Sequence, residues 1–424
     1  MIYFKYLYDT RNRLIKLGLP ALVSRGTLAI WGVLTIFIIR VLPPGAYAIY
    51  AVAKSLEMFG VLLGGGFIQQ AILKLASEGD GLREKQLANS GMFMALIFSL
   101  LSGILLVAGG GLIGSFYEPL DLSGIPLLLA GVVITGTLNG LPRLLLLTRH
   151  RTGDVMITDI VQFIIKSGII GTLLLTGTLK TAHQIFTAMI IANTVSFFVC
   201  AWIARRLFFP AAGIRIDRIR NVMTFSAIFL GASMANFVYT RTDILMLGKI
   251  APDDVAAYGA SRSLSGLTLM IISAANMILL PYISRIWSQG RKKNVIPRVW
   301  STVLLAEILI LPFVLLYMLF PRQVLDFVYS GKYTDNWNIL LVLGCLAVVR
   351  PLGSFFATAA SAIGKPQYAL YSVIVSAVVN VALNIYLIPM YGGFGAALAT
   401  MAAVILGAAW VAMLSIRYIN GSTQ

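Results

Sequence analysis

Long apolar stretches separated by short polar turns occupy nearly the whole chain. Runs able to cross about 30 Å of hydrocarbon fall at 18–40, 46–67, 88–110, 124–147, 155–176 and 184–204. Six more follow at 222–248, 256–281, 299–320, 337–360, 368–389 and 394–415. In a bilayer core every backbone N–H and C=O must be satisfied within the structure, so uninterrupted runs of this length predict helices. The pattern predicts an all-α polytopic membrane protein with twelve transmembrane helices. Residues 1–17, MIYFKYLYDTRNRLIKL, mix aromatic and basic side chains and predict a segment lying along the cytoplasmic interface. The run from Gly18 to about Ile39 is too long for a cleavable signal, carries Arg25 and has no small-residue cleavage site.

Composition supports this pattern. The chain is 58% hydrophobic and 12% charged, with a mean hydropathy of +0.88. Soluble domains are about 25% charged, so little soluble mass remains. The net charge of +17 would suggest nucleic acid in a soluble protein, but its distribution argues otherwise. Of 33 Lys and Arg, 21 fall on the segments sharing a side with the N-terminus, five on the opposite side and seven inside apolar runs. By the positive-inside rule both termini are cytoplasmic in a multi-pass protein of the cytoplasmic (inner) membrane, and nucleic acid is not an expected partner. Cys200 and Cys345 lie within apolar runs, with only His150 and His183 elsewhere, so no metal site is expected.

A weak internal repeat divides the chain. Tyr50-Ala-Val-Ala-Lys54-Ser55-Leu56 matches Tyr258-Gly-Ala-Ser-Arg262-Ser263-Leu264 at an offset of 208 residues. At an offset of 214, Arg151 answers Lys365 and Lys166 answers Asn380. These matches predict two six-helix lobes, 18–204 and 222–415, joined by a basic cytoplasmic linker at 205–221 and followed by a tail at 416–424. An even number of helices inserts both halves the same way up, so a pseudo-twofold axis along the membrane normal is expected, with a substrate site near mid-membrane. The linker reads as an orientation signal and a contact for anionic lipid.

The candidate chemistry lies in seven bases inside apolar runs: Arg25, Lys54, Arg143, Lys166, Arg241, Arg262 and Arg350. A base at a helix centre costs roughly 2.5–3.5 kcal/mol on insertion scales, so such residues face a hydrated cavity or a partner. Lys166 and Arg350 are deepest in their runs, Arg25 is nearly as deep, and Lys54 and Arg262 occupy repeat-related positions. For Arg241, two residues before Asp243, a local ion pair and a cavity role both stay open. Arg143, five residues from a run end, is explained by snorkelling and discounted. Four acids, Glu57, Asp159, Asp243 and Glu307, leave three positive charges uncompensated. Glu57 shares a helical face with Lys54, and Asp159, Gln162 and Lys166 form a stripe at i, i+3, i+7. A diphosphate would match the surplus through charge-assisted hydrogen bonds. Tyr368, Ser372, Ser376, Asn380 and Asn384 recur every fourth residue; they line a hydrated sugar path or glue helices together. Gly64-Gly65-Gly66 reads as a hinge or close helix packing, with no phosphate-loop context.

Four segments carry a family resemblance: Arg-Val-Leu-Pro-Pro-Gly-Ala-Tyr-Ala-Ile-Tyr (40–50), Tyr-Thr-Arg-Thr-Asp-Ile-Leu-Met-Leu-Gly (239–248), Ala-Ile-Gly-Lys-Pro (362–366) and Asn-Ile-Tyr-Leu-Ile-Pro-Met-Tyr-Gly-Gly-Phe-Gly-Ala-Ala (384–397). With the features above, the whole chain resembles the multidrug/oligosaccharidyl-lipid/polysaccharide (MOP) flippase superfamily, in its O-antigen-type polysaccharide-transporter branch. The resemblance implies paired six-helix lobes that carry polyprenyl-pyrophosphate-linked oligosaccharides to the outer leaflet by alternating access. It also implies cavity bases on the first, second, seventh and eighth helices, here Arg25, Lys54, Arg241 and Arg262. Lys166 and Arg350 are added from depth alone.

The expected partners are the polyprenyl-pyrophosphate glycan, membrane lipids and the glycan polymerase or glycosyltransferases of the same pathway. No cofactor is expected; H+ or Na+ coupling through Glu57, Asp159 or Asp243 stays open. A drug/cation antiporter would need acidic cavity residues, the wrong sign here. A teichoic-type or peptidoglycan-precursor lipid flippase is the near alternative. A glycosyltransferase or polymerase would need external catalytic carboxylates, and the adjacent Asp253-Asp254 pair lacks Asp-x-Asp spacing.

Overall fold

A computed structural model of the chain describes residues 20, 23–24, 26–27, 29–77, 82–207, 213 and 216–422. The interfacial segment at 1–17, Arg25 and residues 208–212, 214 and 215 of the linker lie outside the described residues. The described residues form helices and no strand: Ala29–Val41 (α1), Pro44–Val61 (α2), Phe67–Ser77 (α3), Leu82–Ala108 (α4), Gly110–Phe116 (α5), Ile125–Thr148 (α6), Thr152–Leu175 (α7), Ala182–Ala204 (α8), Ile216–Ile250 (α9), Asp254–Ser265 (α10), Thr268–Ser288 (α11), Val295–Leu319 (α12), Pro321–Tyr329 (α13), Trp337–Ala362 (α14) and Pro366–Gly421 (α15). Ten of the described helical stretches are long and apolar enough to cross a membrane. The chain divides into two compact units, one of residues up to Leu34 with Ala53–Met234, the other of Thr35–Val52 with Ala235–Gln424.

In the first unit α6 packs against α4 and α8, and α7 against α8. Between α2 and α3 the helix loosens into a short π-turn, Leu62–Gly66, where Gly65 has φ +102°. A side chain there would be strained in itself and would meet the Ala95 backbone at 3.0 Å. The distorted turn frees carbonyls that lipid cannot solvate. Ser102 Oγ donates to Gly60 O at 2.8 Å and Thr137 Oγ1 to Gly64 O at 3.4 Å, so neighbouring helices satisfy them.

In the second unit α14 packs against α10, α11, α12 and α15. The predicted eighth span is likewise broken, between α10 and α11 at Gly266–Leu267. Tyr317 Oη donates to Leu264 O at 3.0 Å, and Arg350 Nη1 to Ser265 O at 3.1 Å. The 56-residue α15 contains two predicted runs. Ser372 Oγ donates to Gly407 O (2.7 Å), Ser376 Oγ to Ala403 O (3.0 Å) and Asn380 Nδ2 to Thr400 Oγ1 (3.4 Å). Acceptors step backward as donors step forward, which is the register of two antiparallel arms. The reversal is at Gly392 (φ 55°, ψ −132°), and Asp254 Oδ2 accepts the Gly393 N–H at 2.8 Å beside it.

Segment 35–52 belongs with the second unit for a visible reason. Lys332 Nζ donates to the carbonyls of Arg40, Val41 and Leu42 at the end of α1, and Arg40 donates back to Phe327 O at 3.2 Å. An ammonium on the last carbonyls of a helix also complements its dipole. Burial in this position pushes the Lys332 pKa down. Leu304, Leu305, Ile308 and Leu309 are exposed on α12, as are Leu101, Ile104 and Leu105 on α4. Apolar side chains turned outward are what a hydrocarbon solvent favours.

Candidate functional site

Each unit holds a cavity lined by embedded bases. In the first, a cavity of about 570 Å³ is lined by Ser24, Thr27, Trp31, Arg143, Asp159, Gln162 and Lys166, among others. Three of these come from α7, where the i, i+3, i+7 spacing of Asp159, Gln162 and Lys166 sets them along one face. Lys166 Nζ lies 3.5 Å from the Trp31 ring centroid, and a cation over an indole face is attracted by its quadrupole. Asp159 does not serve Lys166. It accepts a two-pronged pair from Arg143, Nε to Oδ1 at 2.8 Å and Nη2 to Oδ2 at 3.0 Å. The snorkelling expectation for Arg143 is therefore corrected: the guanidinium turns inward because a carboxylate on the adjacent α7 offers a matched fork. Gln162 Nε2 donates to Asn193 Oδ1 at 2.6 Å, which fixes the amide. Lys54 pairs with Glu57 one turn on, as their spacing predicts. Both lie within electrostatic range of Lys166.

In the second unit, a cavity of about 330 Å³ is lined by Tyr239, Thr240, Arg262, Arg350, Ser372 and Ser376 with a largely apolar remainder. Arg262 Nη1 donates to Asp243 at 2.5 Å and Nη2 to Thr240 O at 2.7 Å. Tyr258 Oη also donates to Asp243, and Tyr258 Oη meets Thr400 Oγ1 at 3.1 Å. So Asp243 goes to Arg262 on the next helix, not to Arg241 two residues before it. Residues two apart on a helix do not face each other. Arg241 does not line this cavity; with Arg262 it lies within electrostatic range of Tyr47.

Among the described residues Lys166 and Arg350 have no carboxylate partner, whereas Lys54, Arg143 and Arg262 each have one. Arg350 spends one N–H on the Ser265 carbonyl, leaving four of its five donors. It lies within electrostatic range of Arg262.

The polar stripe divides between its two readings. Ser372 and Ser376 line the cavity. Asn380 and Asn384 do not: both are fully buried between the arms of α15, with Asn384 Nδ2 on Asn380 Oδ1 at 3.0 Å. Their assignment to a cavity lining is corrected, because the second arm returns directly over them. A continuous polar chain results, Arg262–Asp243–Tyr258–Thr400–Asn380–Asn384, and Asn384 Oδ1 at its end is buried with no hydrogen-bond partner. An orphaned buried amide oxygen is a ligand that a hard cation accepts; here it adjoins Asn380 and is joined to the Asp243 carboxylate only through Asn380, Thr400 and Tyr258. The sequence pattern missed Tyr258 and Thr400, which connect helices far apart in the chain. It also missed Trp31.

Comparison with known proteins fits this architecture. A family described as polysaccharide biosynthesis protein matches residues 37–338. A "probable low-salt glycan biosynthesis flippase" of Haloferax volcanii is 20% identical over 182 residues, 43% of this chain and 39% of that protein. An uncharacterized membrane protein of Methanocaldococcus jannaschii is 26% identical over 144 residues, 33% of this chain and 28% of that protein. The chain therefore aligns with well under half the length of either relative. Among solved structures, the lipid II flippase MurJ in an inward closed conformation superposes with TM-score 0.74 at 14% identity, covering 96% of this chain and 90% of that one. An inward-facing multidrug resistance MATE family transporter of the MOP superfamily also gives 0.74 at 14% identity, covering 96% and 98%. The family match spans most of the chain and the fold agrees along nearly all of it: this multi-pass membrane protein belongs to the polysaccharide biosynthesis protein family and has the MOP-superfamily fold.

Proposed function

We propose that the protein is a flippase that moves a polyprenyl-pyrophosphate-linked oligosaccharide from the cytoplasmic to the outer leaflet of the inner membrane. The observation that carries this reading is Arg350: a guanidinium deep in its apolar run, facing a cavity beside Arg262, with no carboxylate partner among the described residues. The diphosphate engages this pair; Arg25, Lys54 and Arg241 are the further bases that the family resemblance implies. The prenyl chain stays in lipid, and alternating access exposes the site to each side in turn. The 21-to-5 split of basic residues supports cytoplasmic termini. Outward movement of negative charge is then favoured by about 2.3 kcal/mol per charge per 100 mV of inside-negative potential. The name of the Haloferax relative, a glycan biosynthesis flippase, supports a glycan over a drug. So does the pairing of Glu57, Asp159 and Asp243 with bases, which neutralises the acids nearest the two cavities. Pathway glycosyltransferases and polymerase are the expected neighbours.

The test is flipping of a fluorescent polyprenyl-diphosphate oligosaccharide in proteoliposomes. Arg350→Gln is expected to cut the initial rate about tenfold, equivalent to about 1.4 kcal/mol, with Arg350→Lys intermediate. An unchanged rate in Arg350→Gln removes the assigned anion site.

Coupling to Na+ or H+ is the second element of the reading, supported by the orphaned Asn384 Oδ1. Asn384, with Asn380 and Thr400 next along the chain, would hold the ion, and Tyr258 would connect it to the Arg262–Asp243 pair. Flipping is expected to rise with Na+ or with a proton gradient, and Asn384→Leu is expected to abolish that dependence. A dependence intact in Asn384→Leu removes this site.

A further inference from the structure

We infer that the cavity of the first unit is a glycan subsite selective for a sugar that carries a carboxylate. The inference rests on the transport reading above and assigns Lys166 to the sugar, not to the diphosphate.

The lining chemistry argues this. A volume of about 570 Å³ is in the range of small-molecule sites, roughly 300–1,000 Å³, and far larger than an ion needs. Its walls pair donors with acceptors at fixed positions. Arg143 uses two N–H groups on Asp159 and has three more, while the Asp159 oxygens keep unused lone pairs. A hydroxyl set against such a fork can donate to the carboxylate and accept from the guanidinium at once, and vicinal sugar hydroxyls present that alternation. Gln162 is held by Asn193 through its amide nitrogen, which leaves its carbonyl oxygen as an oriented acceptor. Ser24, Thr27 and Thr152 add hydroxyls.

Charge then selects among sugars. Arg143 and Asp159 cancel, so among the described residues the lining carries one surplus positive charge, on Lys166. That ammonium has no carboxylate partner among the described residues and is held in place over Trp31 at 3.5 Å. One anionic group on the ligand balances it. A diphosphate carries two or more charges and would press the excess against Asp159. A single sugar carboxylate meets Lys166 as a charge-assisted hydrogen bond while its ring hydroxyls meet the neutral fork.

The test uses the full chain in nanodiscs of zwitterionic lipid, with binding read by saturation-transfer NMR. The probes are methyl β-glucuronide, methyl β-glucoside and inorganic pyrophosphate. The glucuronide is expected to bind at least about fivefold tighter than the glucoside, the advantage of one charge-assisted hydrogen bond over a neutral one. Lys166→Gln is expected to bring that ratio to about one, and Lys166→Arg to retain it. Arg322→Gln, on α13 away from both cavities, should leave the ratio unchanged. Equal binding of the two glycosides, binding of neither, or displacement of the glucuronide by pyrophosphate overturns the inference. These outcomes are separate from the transport reading, which is decided by flipping of the lipid-linked substrate in vesicles and requires no acidic sugar.

Discussion

Asp243→Ala is expected to be the most destabilising single charge substitution in the second unit. The carboxylate is fully buried and accepts from both Arg262 and Tyr258. Its removal leaves the Arg262 guanidinium partly buried with no carboxylate among the described residues and only neutral oxygens, the Thr240 carbonyl and the Tyr258 hydroxyl, beside it. Breaking a buried pair from one side costs about 3–5 kcal/mol, more than the intact pair contributes, because the remaining charge is desolvated without compensation. A large fall in melting temperature in detergent is the expected result. Tyr258→Phe, which removes one hydroxyl from the same carboxylate, is expected to cost about 1 kcal/mol. The paired substitution Asp243→Asn with Arg262→Gln should recover part of the loss. If Asp243→Ala melts like the unaltered protein, the Arg262–Asp243 pair is not what holds α9 against α10.

The same pairing shapes the second result. Removing charge at Arg25, Lys54 and Arg262 together is expected to abolish flipping of a polyprenyl-diphosphate oligosaccharide in vesicles while the protein still inserts. Neutralising Arg262 alone would strand Asp243, and neutralising Lys54 would strand Glu57. The substitutions are therefore best made as Arg25→Gln, Lys54→Gln and Arg262→Gln in an Asp243→Asn, Glu57→Gln background. The background without the base substitutions serves as its own reference. Loss of transport relative to that reference, with unchanged melting, assigns the effect to charge in the path. Normal flipping by the full combination would reject the anion site.

Reading the two cavities together changes how the embedded charges are counted. By composition three bases are in surplus over the acids. Three of the four acids are paired, Glu57 to Lys54, Asp159 to Arg143 and Asp243 to Arg262, while Glu307 on α12 takes part in none of these pairs. Lys166 and Arg350, the two deepest bases in their runs, each line a cavity with no carboxylate partner among the described residues. Depth was a sound guide because a base near the bilayer centre cannot reach water by snorkelling and must have a cavity. It failed for Arg143, where closeness to a run end hid a partner on the next helix. The repeat carried less information. Lys54 and Arg262 occupy matching positions, yet one pairs within its own helix and the other across to α9. Lys166 faces a cavity, while its counterpart Asn380 is sealed between the arms of α15.

What the sequence alone determined was the helical, membrane-embedded character of the chain and the apolar runs that become its long helices, and it singled out Gly64–Gly66, where the helix is distorted, and the bases embedded in those runs. These follow from local physics: hydrocarbon demands runs of fixed length, and charge in such a run is costly wherever it sits. Only the tertiary structure decided which acid meets which base, that α15 folds back at Gly392, and that Tyr258 and Thr400 join Asp243 to Asn384. It alone showed that Trp31 holds Lys166. Those outcomes depend on which helices become neighbours and how each is rotated, and a hydrophobic pattern repeating every few residues carries no record of the partner it will meet some 140 positions away.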